Sequence, residues 1–526
     1  MKFTKLWLLW MLLVSVVTYG QTTVQKTITR TVTVEVDTNV ASKEWVREYI
    51  QRFKFTPVPP TEQVPQIKNP PTGSVPAIIL PPTLSETPTV NQQVKYIVNG
   101  TGKSIDFNDP DGISPNVKQR IKLFVQGENG VDAVRLVFNW GDYNPSQGVY
   151  KNEGLTRAIA WVQSLRPNNP PKIRLLFVPI LQGNDGRIPR EEIQVDANGN
   201  LMDCTYNSLF TTVPSYYSFK AMAMLNDCYD ALIPFLAQNY ANDIEVLELA
   251  AGQSEEHGLP YTAQGAGSDC GTYSGIGDYS VCARNAFKMQ YGHDLPNVGV
   301  TQGYNWNMNY SDVHYRNAAL FWGKGVFDVW DRFRAKVKQH SSFAVGVVVA
   351  DLLNDQGAKW VFHGFALPKM IEKCDYFYHT YNLSSSEWHG NLLGTDLLEG
   401  TRPNQIISEI EYDPHDCGTN NGFGPIDEAF CEQSLSKIIQ HGAKGIHFSM
   451  DWDEGQILAW KRVMGKVKAK NLQPISRTKA PTIEVKASEI FNSSYFLDQA
   501  WRSLGNKTSL PFEAKPVNIR LINDLF

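Results

Sequence analysis

Eight short apolar runs, separated by segments with helical periodicity, occupy the central part of the chain. The intervening segments, such as ISPNVKQRIKLFVQ and VFDVWDRFRAKVKQ, repeat apolar residues every three or four positions, which predicts amphipathic helices. The predicted strands are 94–98 (VKYIV), 132–140 (DAVRLVFNW), 172–181 (KIRLLFVPIL), 244–252 (IEVLELAAG), 343–350 (FAVGVVVA), 374–381 (CDYFYHTY), 405–411 (QIISEIE) and 444–452 (KGIHFSMDW). Because strands and helices alternate, we expect parallel β/α units closed into a (β/α)8 TIM barrel, an α/β fold.

The segments that flank this pattern have a different composition. Residues 1–20 combine two early lysines with a short apolar run, which is typical of a signal peptide. Residues 21–93 begin with a Thr/Val-rich stretch and become proline-rich, which predicts an extension and a tether. We therefore expect the barrel to occupy 94–475, with a small C-terminal appendage at 476–526. No later run is long enough to span a membrane, so we expect a secreted or periplasmic protein.

Charge and cysteine content narrow the possible functions. A net charge of -4 argues against a nucleic-acid-binding protein, which would present a basic stripe. Six of the seven cysteines form close couples, interpreted as disulfides, and Cys374 is expected to be a buried thiol. The couples are Cys204 with Cys228, Cys270 with Cys282, and Cys417 with Cys431. Because no couple has CxxC spacing, and DANGN at 196–200 lacks the remainder of an EF-hand loop, we predict no metal ion and no cofactor.

Two of the predicted strands end in glutamates. The fourth leads into IEVLELAAGQSEE at 244–256, and the seventh contains QIISEIE at 405–411. Carboxyl ends of barrel strands carry the chemistry of TIM-barrel enzymes, and two facing carboxyl groups can cleave a glycosidic bond. Trp140, at the end of the second strand, would suit stacking on a sugar, whereas Glu248 is expected to be a buried, paired carboxylate. The pattern thus favours a glycoside hydrolase acting on a carbohydrate.

The motifs in these strands resemble the clan of retaining TIM-barrel glycoside hydrolases that includes cellulases and β-galactosidases. In that clan the acid/base is on the fourth strand and the nucleophile on the seventh, so ISEIE implies Glu409 as the nucleophile. The motif GVDAVRLVFNW implies that Arg135 steadies this nucleophile. HTY resembles the His-x-Tyr of cellulase-like members, and FSMDWD the strand with the tryptophan platform, which implies His379, Tyr381 and Trp452 as substrate-binding residues.

The assignment of the acid/base leaves two candidates. The clan places Asn directly before this residue, whereas the present run is GQSEEHG. Strand alternation would point Glu256 inward, while a bulge at the strand end would give the role to Glu255, with Ser254 in place of the amide. On the seventh strand, Glu411 has the same parity as Glu409 and is the reserve nucleophile.

The missing asparagine and the tether-like N-terminal region also favour an alternative function. A barrel that lacks a working acid could bind carbohydrate without cleaving it, as a surface or assembly protein. Release of products from an oligosaccharide distinguishes the enzyme from this alternative.

Overall fold

The computed structural model describes the barrel region and several short strands. The described residues are 9–12, 28–31, 94–100, 103–181, 187–201, 205–206, 209–210, 213–251, 261–262, 275–297, 313–350, 367–380, 407–412, 414–419, 424–449, 452–473, 482–486 and 518–522. The chain divides into two compact units, Met1–Lys54 and Phe55–Phe526. In the first unit, Leu9–Leu12 pairs antiparallel with Ile28–Thr31.

Eight parallel strands in the second unit form a closed barrel. They are β1 Lys95–Asn99, β2 Ala133–Asn139, β3 Lys172–Val178, β4 Ile244–Leu249, β5 Ala344–Ala350, β6 Tyr376–Thr380, β7 Ile407–Tyr412 and β8 Gly445–Phe448. Each strand pairs with its neighbours in chain order, and β8 closes onto β1. The predicted barrel is confirmed, and the two acidic runs supply its fourth and seventh strands.

Helices connect most of these strands. They are α1 Pro115–Val125, α2 Trp140–Tyr143, α3 Asn152–Ser164, α4 Phe219–Tyr240, α5 Val281–Tyr291, α6 Val313–His340, α7 Leu367–Ile371, α8 Glu428–Gln440 and α9 Glu454–Ala469. Side-chain caps define several starts: Ser218 accepts from the amide of Ala221 before α4, and Asp453 with Gln456 forms a capping box before α9. None of the helices in the described ranges is both long and apolar enough to cross a membrane.

The apolar core lies between the strands and the surrounding helices. Tyr96 packs edge-on against Trp460 of α9 with ring centroids 6.1 Å apart, and Phe448 contacts the same indole at 3.9 Å. Because side chains alternate along a strand, the neighbours of Tyr96 face the barrel axis instead. Lys95 and Asn99 of β1 accordingly make their contacts inside the barrel.

The disulfide predictions have mixed outcomes. Cys417 and Cys431 form a disulfide, as predicted, and the hydroxyl of Tyr412 lies against it. Cys228 and Cys282 carry free thiols, so their predicted pairings are wrong; their intended partners lie outside the described residues. The free thiol of Cys228 is fully buried on α4, and that of Cys282 on α5 is partly exposed.

Outside the barrel, the described segments include a turn at 196–200 and a small C-terminal sheet. The DANGN run forms a turn, in which the carboxylate of Asp196 accepts from the amides of Asn198 and Asn200. At the C-terminal end, Thr482–Lys486 and Asn518–Ile522 pair in parallel as a separate two-stranded sheet. The domain boundaries at 20/21, 93/94 and 475/476 stay predictions.

Candidate functional site

A network of charged and polar side chains fills the barrel axis, and we call it the axial network. Its members are Lys95, Asn99, Arg135, Arg174, Glu245, Glu248, Tyr378, Glu409 and His447. Three cations face three carboxylates in this set. Pairing of this kind is what allows charged groups to remain inside a closed barrel.

Glu409 of β7 lies at the centre of the axial network. Its Oε2 atom accepts a charge-assisted hydrogen bond from Nη1 of Arg174 on β3. Nε2 of His447 on β8 lies 2.6 Å from the same oxygen, and because a carboxylate can only accept, the imidazole is the donor. Arg174 also donates from Nε to Glu245 at 2.7 Å. All of Arg174, Glu409 and His447 are fully buried.

A second branch continues from His447 to the opposite side of the barrel. Nδ1 of His447 lies 2.8 Å from Oδ1 of Asn99, whose amide donates to the hydroxyl of Tyr378. The Tyr378 ring stacks on the imidazole at 3.8 Å, and Arg135 lies 5.2 Å above the same ring. Arg135 then donates from Nε to Glu248 at 2.6 Å, which confirms that Glu248 is a buried, paired carboxylate.

The electrostatics of this network stabilise the ionised form of Glu409. Burial alone raises the pKa of its carboxyl group, but attraction to Arg174 and His447 outweighs this and holds the pKa at about 2. Burial lowers the pKa of the His447 imidazole, against the opposing pull of Glu409. Burial also opposes ionisation of Glu245, whose pKa is nevertheless lowered by Arg174 and Lys95. These carboxylates are therefore charged at neutral pH.

Two glycines on neighbouring strands leave room for the buried carboxylates. A Cβ atom at Gly445 of β8 would lie 2.5 Å from Oε1 of Glu409, and one at Gly346 of β5 would lie 2.7 Å from Cγ of Glu248. Both approaches are shorter than van der Waals contact. The axial network thus depends on Gly at these two in-register positions.

Glu411 occupies the next inward position along β7, closer to the carboxyl end of the strand. Its backbone pairs with His447, whereas Glu409 pairs with Gly445, the first residue of β8. Glu409 is therefore the deeper of the two, and Glu411 is partly exposed. Since the carboxyl ends of the strands form the mouth of a (β/α)8 barrel, Glu411 is the β7 carboxylate that solvent reaches.

The two predicted sugar-stacking tryptophans are fully buried. Trp140 begins α2 and donates from Nε1 to Asn144 at 3.1 Å. Trp452 stacks on Tyr412 with ring centroids 6.3 Å apart and donates to the Tyr412 carbonyl oxygen. In these positions both indoles pack against protein, so a role in sugar stacking stays a prediction.

The other predicted site residues differ in how far the structure locates them. Arg135 lies inside the barrel, where it pairs with Glu248, and Arg174 takes the contact with Glu409 that the resemblance implied for Arg135. The backbone of His379 belongs to β6 and pairs with Val349 and Ile410. The described residues do not include Glu255, Glu256 or Tyr381.

Sequence reasoning missed Arg174, His447, Asn99 and Tyr378 as members of the axial network. Each lies at an inward position of an otherwise apolar strand, such as KIRLLFV for Arg174 and GIHF for His447. The signal that could have identified them is a polar residue at a position that faces the barrel axis, within a strand that is otherwise apolar. Among the described residues, no group of three or more His, Cys, Asp or Glu side chains is arranged to hold a metal ion.

Comparison with known proteins gives similarity to solved structures alone. No family model matches the sequence, and no curated protein matches it. Among solved structures, the catalytic domain of β-amylase from Paenibacillus polymyxa is similar, with a TM-score of 0.48 and 13% identity over 72% of this chain and 99% of that chain. The barrel assignment itself rests on the closed order of eight parallel strands.

Proposed function

We propose that the protein is a secreted glycoside hydrolase that cleaves a poly- or oligosaccharide at the carboxyl end of its barrel. The observation that carries the proposal is Glu411, a partly exposed carboxylate at the end of β7, above a charge-balanced barrel interior. A carboxylate at this position can reach a bound sugar. The segment that follows β4 in the sequence contains two more glutamates, Glu255 and Glu256, one of which would be the acid/base. The disulfide supports an extracytoplasmic location.

Within this proposal, Glu411 rather than Glu409 is the nucleophile. A nucleophile must touch the anomeric carbon, and Glu409 is fully buried with one oxygen committed to Arg174 and His447. Pulling Glu409 away from these partners would break its buried ion pair with Arg174, at a cost of several kcal/mol. Glu409 instead acts as a positioning residue that fixes the floor of the site.

The reaction would follow the two-step retaining course. Glu256, or Glu255 in its place, donates a proton to the glycosidic oxygen while an oxygen of Glu411 attacks the anomeric carbon and expels the alcohol. The same acid/base then takes a proton from water, whose oxygen attacks the anomeric carbon and releases Glu411. Such a course requires the two carboxyl groups to lie about 5 to 5.5 Å apart.

A panel of aryl glycosides and polysaccharides tests the activity, and variants at β7 test the assignment. We expect Glu411→Gln to lower kcat/KM by about a thousandfold or more, the order seen when a nucleophile is removed. Azide should restore turnover of Glu411→Gly and yield a glycosyl azide of inverted configuration. The control is Glu153→Gln, an exposed glutamate in the first turn of α3, which should leave activity unchanged.

Two results would contradict the proposal in different ways. Full turnover by Glu411→Gln would show that Glu411 is not the nucleophile. Oligosaccharide binding in calorimetry, without product release over days, would support the non-catalytic carbohydrate-binding alternative.

A further inference from the structure

Two surface histidines, one exposed and one partly exposed, meet between the end of α5 and the start of α6. Gly292, with φ of 77°, ends α5 in a left-handed turn that leads to His293. His314 is the second residue of α6. Nδ1 of His314 lies 3.0 Å from Nε2 of His293, although the two residues are 21 positions apart in the chain.

The ring of His293 is held in one orientation. Its Nδ1 atom lies 2.9 Å from the carbonyl oxygen of Asp294, so this nitrogen carries the proton and donates it. Phe287 of α5 packs edge-on against the imidazole, with ring centroids 5.1 Å apart. Nε2 is therefore left with its lone pair facing His314. A ligating histidine in metalloproteins is oriented in the same way, by a hydrogen bond from its other ring nitrogen.

We infer that His293 and His314 form a binding site for a divalent transition-metal ion. With metal–nitrogen bonds of about 2.0 to 2.1 Å, two nitrogens at this separation subtend roughly 90° at the metal. That angle suits the tetragonal geometry of Cu²⁺ and Ni²⁺, for which imidazole is a favoured ligand. His314 is exposed and His293 is partly exposed, so an ion can reach the pair from solvent and water can complete the shell.

The charged groups of α5 and its C-terminal turn near the pair are one carboxylate and two cations. The carboxylate of Asp294, next to His293, is paired with Lys288 at 2.9 Å, and Arg284 is the other charged group of α5 on this side. The proposed site uses the two imidazole nitrogens and water as ligands, so it does not require a carboxylate ligand. Because the pair supplies two imidazole ligands, we expect a single weakly held ion.

The location of the pair gives the site a structural consequence. Helices of a (β/α)8 barrel start at the carboxyl ends of the strands, so the N-terminus of α6 lies on the face that carries the mouth. Both α5 and α6 belong to the connection from β4 to β5, which also contains Glu255 and Glu256. An ion bound by both histidines would fasten the ends of the two helices together.

Titration of the metal-free chain with CuCl₂ in a non-chelating buffer tests the inference by calorimetry and electron paramagnetic resonance. We expect one ion per chain with nitrogen coupling in the spectrum, and at least about tenfold weaker binding in His293→Gln and in His314→Gln. The matched control is His340→Gln at the far, exposed end of α6, which should bind like the parent. Acidification should weaken binding, because a ligating imidazole must be deprotonated.

A second measurement uses the unaltered chain and so does not depend on the folding of variants. Ni²⁺ should protect His293 and His314 from carbethoxylation by diethyl pyrocarbonate, as mapped by peptide mass, while His340 stays reactive. Equal reactivity of all three histidines with and without Ni²⁺ would overturn the inference. Identical Cu²⁺ affinity in the parent, His293→Gln and His314→Gln would overturn it as well. Neither readout depends on glycosidase activity.

Discussion

Replacing Glu409 by Gln removes the central negative charge of the axial network and leaves its volume nearly unchanged. Arg174 would keep Glu245 as a partner, but it would lose its fully buried counter-ion, and His447 would lose its charged acceptor. A carboxylate at the barrel mouth could be neutralised with little effect on stability. The burial of Glu409 predicts the opposite, a clear loss of stability.

Two independent arguments give the size of this loss. At about 1.4 kcal/mol per pKa unit, lowering the pKa of Glu409 from 4.5 to about 2 corresponds to about 3 kcal/mol. Breaking a buried ion pair by removing one partner typically costs about 3 to 5 kcal/mol. We therefore expect Glu409→Gln to lower the free energy of unfolding by about 3 kcal/mol at pH 7.

The pH dependence separates this electrostatic effect from a general packing defect. The folded-state pKa of Glu409 is depressed, so its contribution is complete above pH 4.5 and is lost as the pH falls through about 2. Urea unfolding of parent and variant, followed by tryptophan fluorescence, should show a difference of about 3 kcal/mol at pH 7 that shrinks between pH 4.5 and 2. Glu411→Gln, one inward position along β7, is the control and should change stability far less. An unchanged free energy of unfolding in Glu409→Gln, or a difference independent of pH, would refute the reasoning.

Two further predictions concern packing and cross-linking. Gly445→Ala should lower the free energy of unfolding by about 1 to 3 kcal/mol, because its Cβ would overlap Oε1 of Glu409. Gly455→Ala, at an exposed position in α9, is the control, and equal stability of the two variants in urea would contradict the overlap. Reducing the disulfide between Cys417 and Cys431, which closes a loop of 14 residues, should lower the free energy of unfolding by about 3 kcal/mol. Urea unfolding before and after treatment with a phosphine reductant measures this loss. The variant with both cysteines replaced by Ser is the control, and its stability should not change on treatment. A parent that is equally stable before and after reduction would contradict the prediction.

The positions of the candidate carboxylates could be predicted only in part. The apolar run QIISEIE places Glu409 and Glu411 on the same face of one strand, and period-two alternation is sufficient for that. Which of the two is buried depends on the register of β7 against β8, where Gly445 accommodates Glu409 and His447 stands beside Glu411. The motif resemblance favoured Glu409 because it compared residue types, and residue types carry no information about depth in the barrel.

The sequence by itself determined the architecture, because the order of apolar runs and helical periods is a local property that each segment expresses independently. All eight strands, including the fourth and seventh that carry the acidic residues, follow from it. Closure of the barrel decided which side chains meet. Arg174 and Glu409 are separated by 235 positions, and Arg174 and His447 by 273. Contacts across such separations depend on register and on desolvation inside the closed barrel, and neither is encoded in any single segment.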